Sequence, residues 1–375
     1  MPYGQVLVDT VKDSLNNVLA PASAVFRNRI INGAMVISQR YGTTATANTI
    51  NDYTIDRWSA TQYPTTGKIV VQQNAGSVTP PVGFVNYLGV TSQSAYSIGT
   101  GDFYMLQQPI EGFNIADLGF GTANAKTVTL SFQVYSSLTG TFGGALRGPQ
   151  NYPFTYSIPV ANTWTTISVT VVGSTSGSWV TNNAAGLTVC FGLGVGSTYS
   201  DTAGSWTNSN IISATGATSV VGTSGATFYI TGVQLEVGLN ATNFDYRDYG
   251  RELIMCQRYC YQINSDNSSN GGGTGLTGAG TGATGSGLAR CQTSIPTMRV
   301  SPTLTLSNIS TNGTDLRVYN GGGVANVTGL VTNFSTPQAV QFDGNVASAF
   351  TIGNTLTVLW QNSINGGYVR LTAEL

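Results

Sequence analysis

Between residues 27 and 236 apolar and polar residues alternate with a period of two, and few folds accept that pattern. Val128, Leu130, Phe132 and Val134 alternate with Thr129, Ser131 and Gln133. Ile167, Val169 and Val171 alternate with Thr166, Ser168 and Thr170, and Leu187 through Val195 repeat the scheme. One apolar face and one polar face define a half-buried antiparallel strand. Several such strands joined by Gly, Asn and Ser turns pack as two sheets around one core. Alternation returns at Leu304/Leu306, Leu316/Val318 and Leu356/Val358, and again where Val369, Leu371, Ala373 and Leu375 intersperse Arg370, Thr372 and Glu374. The expected fold class is all-β, with two antiparallel β-sandwich domains.

One segment breaks the rule in an informative way. Ala226, Phe228 and Ile230 are even-numbered, whereas Val233, Leu235 and Val237 are odd, and Gly232 sits at the change. An inserted residue at a glycine is how a β-bulge flips side-chain parity. Shortly afterwards the period becomes helical: Tyr249, Leu253, Cys256 and Cys260 share one stripe, Asp248 is suited to the N-cap, and Glu252 lies in the first turn. This is the one helix expected, and it joins the two sandwiches.

These features divide the chain. Residues 1–26 carry Val6, Leu7, Val8, Val11, Leu15, Val18 and Leu19, too apolar for a solvated tail and too few for a core. They are expected to form an extended N-terminal arm that becomes ordered against another surface. Residues 27–247 form the first sandwich, 248–263 the connector helix and 264–375 the second β-domain. Within the last, residues 265–287 are a glycine-rich, low-complexity loop.

Composition then narrows function. Charged residues are 8% of the chain and the net charge is −1, so the surface is solvated by hydroxyls and amides. Scattered basic residues without a cluster argue against nucleic acid. No apolar run approaches the ~20 residues of a membrane span, so no membrane insertion is expected. The N-terminus lacks the basic and apolar regions of a secretory signal, which fits a product made in a cytoplasm. Histidine is absent, removing Ser-His-Asp and Cys-His catalysis and most zinc chemistry. Cys190, Cys256, Cys260 and Cys291 are expected as buried thiols, with no metal and no cofactor. The carboxylates are dispersed, and neither the Asp52/Asp56 nor the Asp245/Asp248 pair calls for more than turn or cap chemistry. Asp56-Arg57-Trp58 is expected as a structural ion pair beside a core tryptophan. The chain is expected not to be an enzyme.

A binding role suits the composition better. Neutral saccharides are held by aromatic faces and by amide and backbone hydrogen bonds, with little need for charge. Trp164 precedes a strand on its polar parity, while Trp179, Tyr199 and Trp206 lie in polar, glycine-rich surroundings, and Trp360 falls in the second domain. For each tryptophan a packing role competes with ligand contact. Trp164, Trp179, Tyr199 and Trp206 are the candidate ligand-binding residues.

Longer motifs carry a resemblance. FRNRIINGAMVISQRYG followed by YTIDRW, then IEGFNIADLGFGTANAKTVTLSFQVYSSLTGTFGGALRG, ANTWTTISVTV, LTVCFGLGVGSTYSDTAGSWTN and FYITGVQLEVG with FDYRDYGRELIMCQRYCYQ, occur in order. They resemble the carbohydrate-binding-module-like jelly roll of bacteriophage tail-fibre and other virion structural proteins. MRVSPTLTLS and VRLTAEL resemble the C-terminal β-domain that follows it, and MPYGQVLVDTVKDSLNNVLAP is similar to short virion-docking arms. The resemblance implies a non-enzymatic homotrimer on the virion, at tail or capsid surface. It docks on other virion proteins through the N-terminal arm and faces host cell-surface glycans. A decoration or connector protein without glycan affinity is the alternative, and a capsule depolymerase spike a further one, although no β-helix repeat is present. Related sugar-binding modules often carry an acidic residue after the opening Asn-Gly, near a structural calcium. Here Ala34 and Met35 follow Asn32-Gly33, so the resemblance carries no calcium site.

Overall fold

The structure is a computed structural model. It describes residues 11–12, 18–19, 27–47, 52–64, 67–264, 279–282, 288–307, 316–319, 324–346, 356–360 and 368–375. The expected N-terminal arm lies outside the described residues except for Val11–Lys12, which pairs antiparallel with Val18–Leu19. Most of the glycine-rich loop lies outside them as well. The chain divides into two compact units, Met1–Glu252 with Leu375, and Leu253–Glu374.

Unit 1 is an antiparallel β-sandwich built on two six-stranded sheets. Its strands are β1 (Thr46–Ala47), β2 (Asp52–Ile55), β3 (Trp58–Tyr63), β4 (Ile69–Gln73), β5 (Leu88–Ser92) and β6 (Phe103–Glu111). They continue as β7 (Val128–Ser136), β8 (Gly140–Arg147), β9 (Asn151–Ile158), β10 (Thr165–Val171), β11 (Ala185–Val195) and β12 (Thr227–Val237). One sheet runs β9-β8-β11-β6-β3-β2 and the other β10-β7-β12-β5-β4-β1. Between them lie the apolar halves of the alternating strands, among them Val128, Leu130, Phe132 and Val134 from β7 and Leu187, Val189, Phe191 and Leu193 from β11. Phe132 meets Phe191 and Tyr156 edge-on, each at 5.0 Å between centroids. In β12 the ladder to β7 shifts register between Thr231 and Gln234, and Gly232 has φ +62°. Ile230 on one side of that bulge and Val233 and Leu235 on the other all reach the core. A Cβ on Gly232 would come within 2.6 Å of the Phe84 ring, so the bulge position needs glycine for space as well as for its dihedral.

The opening segment stitches this bulge closed. The Asn28 side chain accepts from the Ile30 and Leu235 amides and donates to the Val233 carbonyl. Gln108 on β6 exchanges two 2.8 Å bonds with the Ile31 main chain, taking the place of a neighbouring strand. Asn32 is fully buried, with φ +57°. Its carboxamide bonds Ile37 N–H, Ile37 C=O and Asp56 C=O at 3.0, 2.8 and 2.9 Å. Its carbonyl accepts from the Trp58 indole at 3.2 Å, and its amide donates to Glu252.

Helix α1 spans Tyr249–Gln257. Asp248 caps it, its carboxylate accepting from Arg251 N–H at 2.9 Å. The helix expected over 248–263 is shorter, because Cys260–Asn264 is a strand (β13) paired with Tyr368–Thr372. Cys256 and Cys260 are both buried, one on the helix and one at the start of that strand, so their i, i+4 spacing does not mark a continuous helix. Tyr249 is exposed, not part of an apolar stripe. Among the described residues no helix is long and apolar enough to cross a membrane.

In unit 2 the strand pairings among the described residues are antiparallel. Its further strands are β14 (Ala279–Gly282), β15 (Leu288–Ser294), β16 (Thr303–Ser307), β17 (Leu316–Tyr319), β18 (Val324–Ser335), β19 (Ala339–Val346), β20 (Leu356–Trp360) and β21 (Tyr368–Thr372). Six of them close as a barrel, β14-β15-β19-β18-β17-β20, while β13-β21-β16 form a separate sheet. Arg290 and Asp343 face each other across β15 and β19 in a two-pronged pair of 2.9 and 3.0 Å. The terminal strand β21 is the middle of its sheet, burying Val369 and Leu371.

Two outcomes follow. Asn32→Ala strips three main-chain groups of their partner in a dry site, at about 1–3 kcal/mol each, so the urea unfolding midpoint should fall sharply without a change in slope. Tyr156 is the opposite case: its hydroxyl is buried without a hydrogen-bond partner among the described residues, and burial pushes its pKa far above the usual tyrosine range. The unfolded chain ionises this phenol near pH ~10 and the folded chain does not, so the stability it contributes is full below that pH and falls above it. Tyr156→Phe should leave neutral-pH stability unchanged or raised, and thermal melts from pH ~9 to ~11 should fall less steeply than those of the parent.

Candidate functional site

The β8–β9 turn, the start of β11 and the loop before residue 212 enclose a cleft of about 430 Å³ in unit 1. Register explains its floor. Arg147 is the last residue of β8, opposite Asn151 on β9 and Thr188 on β11, so the three side chains form one row on the outer face of the sheet. Gly148 and Pro149 make the turn at one end, and Ala185 and Gly186 open β11 at the other. Asn208 and Asn210 supply the remaining wall.

That wall is held by hydrogen bonds to the floor. Asn151 and Thr207 exchange main-chain bonds of 2.8 and 2.9 Å, and the Asn151 side chain donates to Ser209 C=O at 2.8 Å. Arg147 Nη2 donates to Asn210 Oδ1 at 2.6 Å, and Gln150 Nε2 to Asn208 Oδ1 at 3.2 Å. Arg147 also lies beside Cys190, whose thiol burial pushes up in pKa while the guanidinium pulls it partly back. Among the cleft-lining residues Arg147 is the one charged side chain, set among amides, a hydroxyl and glycines. This inventory suits hydrogen bonding to a polyhydroxylated or anionic small ligand.

Behind the turn stands an aromatic cluster. Trp179 and Trp206 meet edge-on at 5.7 Å, and both pack on Phe120, while Trp206 also meets Tyr152. Their indole N–H groups donate to Ser176 C=O at 2.9 Å and Val172 C=O at 2.7 Å. A Cβ on Gly148 would lie 2.4 Å from Cζ3 of Trp179, so the turn rests directly on the indole. The other two candidates lie apart. Trp164 donates to Thr79 C=O and packs with Tyr135 and Tyr87, on the outer face of the second sheet. Tyr199 meets Phe103 edge-on at 5.2 Å, and Phe103 stacks on Tyr63. The structure thus brings together Trp179 and Trp206, and places Trp164 and Tyr199 in separate clusters. Trp360 has a side chain outside the described residues.

The residues named as structural have defined places. Asp56 is buried, accepts from Gln39 N–H at 2.9 Å and faces Arg40 at 3.9 Å. Arg57, also buried, has φ +72° and donates to Pro109 C=O at 2.6 Å. Trp58 packs on Phe191 in the core.

Cleft residues Arg147, Asn151, Thr188, Asn208 and Asn210 are not among the candidates from sequence. The signal available was an arginine followed by Gly-Pro at a strand end, and an Asn-rich run after Trp206.

No protein-family model matches the chain, and no curated protein matches it in sequence. Solved structures do resemble it in shape. The enzymatically active domain of a tailspike protein of bacteriophage CBA120 is 13% identical over 56% of this chain, at a TM-score of 0.32, and the match spans 21% of that chain. TmCBM61, solved with beta-1,4-galactotriose, is 9% identical over 56% of this chain and 99% of its own, at 0.30. A family 11 carbohydrate-binding module from Clostridium thermocellum, solved with a mixed-linked tetrasaccharide, is 11% identical over 54% and 98%, at 0.27.

The Gly148 contact is directly testable. Gly148→Ala should displace the Trp179 ring, costing about 1–3 kcal/mol as overpacking does, with a shift in tryptophan fluorescence. An unchanged spectrum and melting temperature would remove the indole from beneath the turn.

Proposed function

We propose that this chain is a non-enzymatic bacteriophage virion protein, a homotrimeric tail or head fibre whose first unit holds host cell-surface saccharides. The observation that carries the saccharide part is the cleft at Arg147, which is lined by amides, a hydroxyl and one cation. The virion part draws on the ordered motifs of the sequence and on a surface with little charge to oppose association. In this reading the apolar arm within residues 1–26 docks on other virion proteins, and the protein is made in the host cytoplasm and resides on the particle.

A purely structural decoration or connector role has its own support. All three tryptophan candidates spend their indole N–H groups on main-chain carbonyls and their rings on neighbouring aromatics. They are packing residues in this structure, so saccharide contact falls to the cleft and not to an exposed aromatic platform.

Glycan-array binding by the purified chain, with sedimentation at three times the chain mass, is the expected outcome. Incubation with host polysaccharide should release no reducing ends. Silence on the array together with normal adsorption of particles lacking the protein would leave the structural role. A monomer at physiological salt would remove the fibre.

A further inference from the structure

Several arginines of unit 1 are paired with carboxylates. Arg29 meets Asp117 at 2.7 Å, Arg40 meets Asp56 at 3.9 Å, Arg247 meets Glu252 at 3.5 Å, and Arg27 meets Asp245 at 3.6 Å. Arg147 is not among them. Among the described residues its guanidinium is partnered by a neutral amide, Asn210, and by the buried Cys190 thiol, and no carboxylate lies within ion-pair distance. Its Nε is buried without a hydrogen-bond partner. No Asp or Glu lines the cleft, and Glu111, opposite Ala185 in the register, is buried and not part of the lining.

The geometry points to a carboxylate-bearing saccharide, of the uronic or sialic type, as the ligand of this cleft, with Arg147 binding the carboxylate. This deepens the reading of unit 1 as a saccharide-binding module and rests on it. A neutral sugar needs no cation, whereas a guanidinium forms charge-assisted bonds to a planar carboxylate that are roughly twice as strong as neutral ones. The 2.6 Å bond from Nη2 to Asn210 fixes the guanidinium plane, so little side-chain freedom is lost on binding. Thr188 lies beside Arg147 in the same row, placed to take a hydroxyl next to the carboxylate-bearing carbon. Two macromolecular sources present this group, acidic capsule or pectin-like polymers and sialylated glycans, and they share the chemistry.

Calorimetry on the full chain in low salt tests the assignment, with trigalacturonate against galactotriose and sialyllactose against lactose. Tighter binding of the acidic member of at least one pair by about tenfold, the size of one charge-assisted bond, is expected. That preference should shrink as NaCl is raised. Arg147→Gln should bring the acidic sugar down to the level of its neutral counterpart, read as the ratio of the two affinities in the same variant. If Arg147→Gln lowers the melting temperature, Asn208→Asp replaces it: this exposed wall position would set a carboxylate against the ligand and abolish the acidic preference. Equal affinity for both members of both pairs, or an acidic preference that survives both variants, overturns the carboxylate assignment and leaves saccharide binding standing. Failure of all four sugars to bind at millimolar concentration, with silence on the glycan array, removes the saccharide reading and this inference with it.

Discussion

The hydrogen-bonded environment of Asn32 is the constraint on which unit 1 is organised. The residue is fully buried, yet both its main-chain groups and its carboxamide are engaged. Through them it joins the turn to Ile37, the β2–β3 connection at Asp56, the core indole of Trp58 and the first turn of α1. Each of these is a place where the chain leaves regular structure and would strand polar groups in a dry interior. One side chain with two donors and a two-lone-pair acceptor resolves several of them together. Its left-handed backbone is tolerated better by asparagine than by most residues, which ties the dihedral and the hydrogen-bonding role to one residue type.

The same logic extends along the neighbouring chain. Asn28 satisfies main-chain groups on both sides of the β12 bulge, and Gln108 takes the place of a strand beside Ile31. Arg247 donates to the carbonyls of Ile30 and Asn28 while facing Glu252. An irregular opening segment is thereby fastened to a bent strand by side-chain amides and two main-chain bonds, Arg29 N–H to Leu235 C=O and Val233 N–H to Gly33 C=O, without a regular ladder of its own. The bend is what lets β12 pair with β5 at one end and β7 along its length while keeping an apolar face inward on both sides of Gly232.

Alternation made the sandwich legible because each strand has one buried face, and the parity switch at Gly232 coincides with the register shift for the same reason. The closed barrel of unit 2 was not legible, since period-two patterning is the same whether a sheet curls shut or faces another. The helix end at Gln257 was missed because Cys256 and Cys260 keep helical spacing while only the first is helical. The cleft was hidden by distance along the chain. Arg147 and Thr188 become neighbours only through the β8–β11 register, and Asn210 only through a long loop. The tryptophans were visible, but whether an indole packs or binds depends on where its N–H goes, and carbonyls such as those of Ser176 and Val172 carry no sequence signature.

A low charge content and a charged cleft are two sides of one allocation. Several basic side chains of unit 1, Arg27, Arg29, Arg40 and Arg247, are committed to carboxylates that range from buried to half-exposed. Surface solvation is left to hydroxyls and amides, which hydrogen-bond to sugars and to neighbouring protein as readily as to water. Against so neutral a background a guanidinium without a carboxylate partner among the described residues keeps more of its local potential than it would on a surface dense in charge, where screening and opposing charges act within a Debye length of about 8–10 Å. In an ordinary protein surface, where charges of both signs are interspersed, the same arginine would carry little selectivity. The selectivity proposed for Arg147 therefore depends on the whole composition as much as on the cleft.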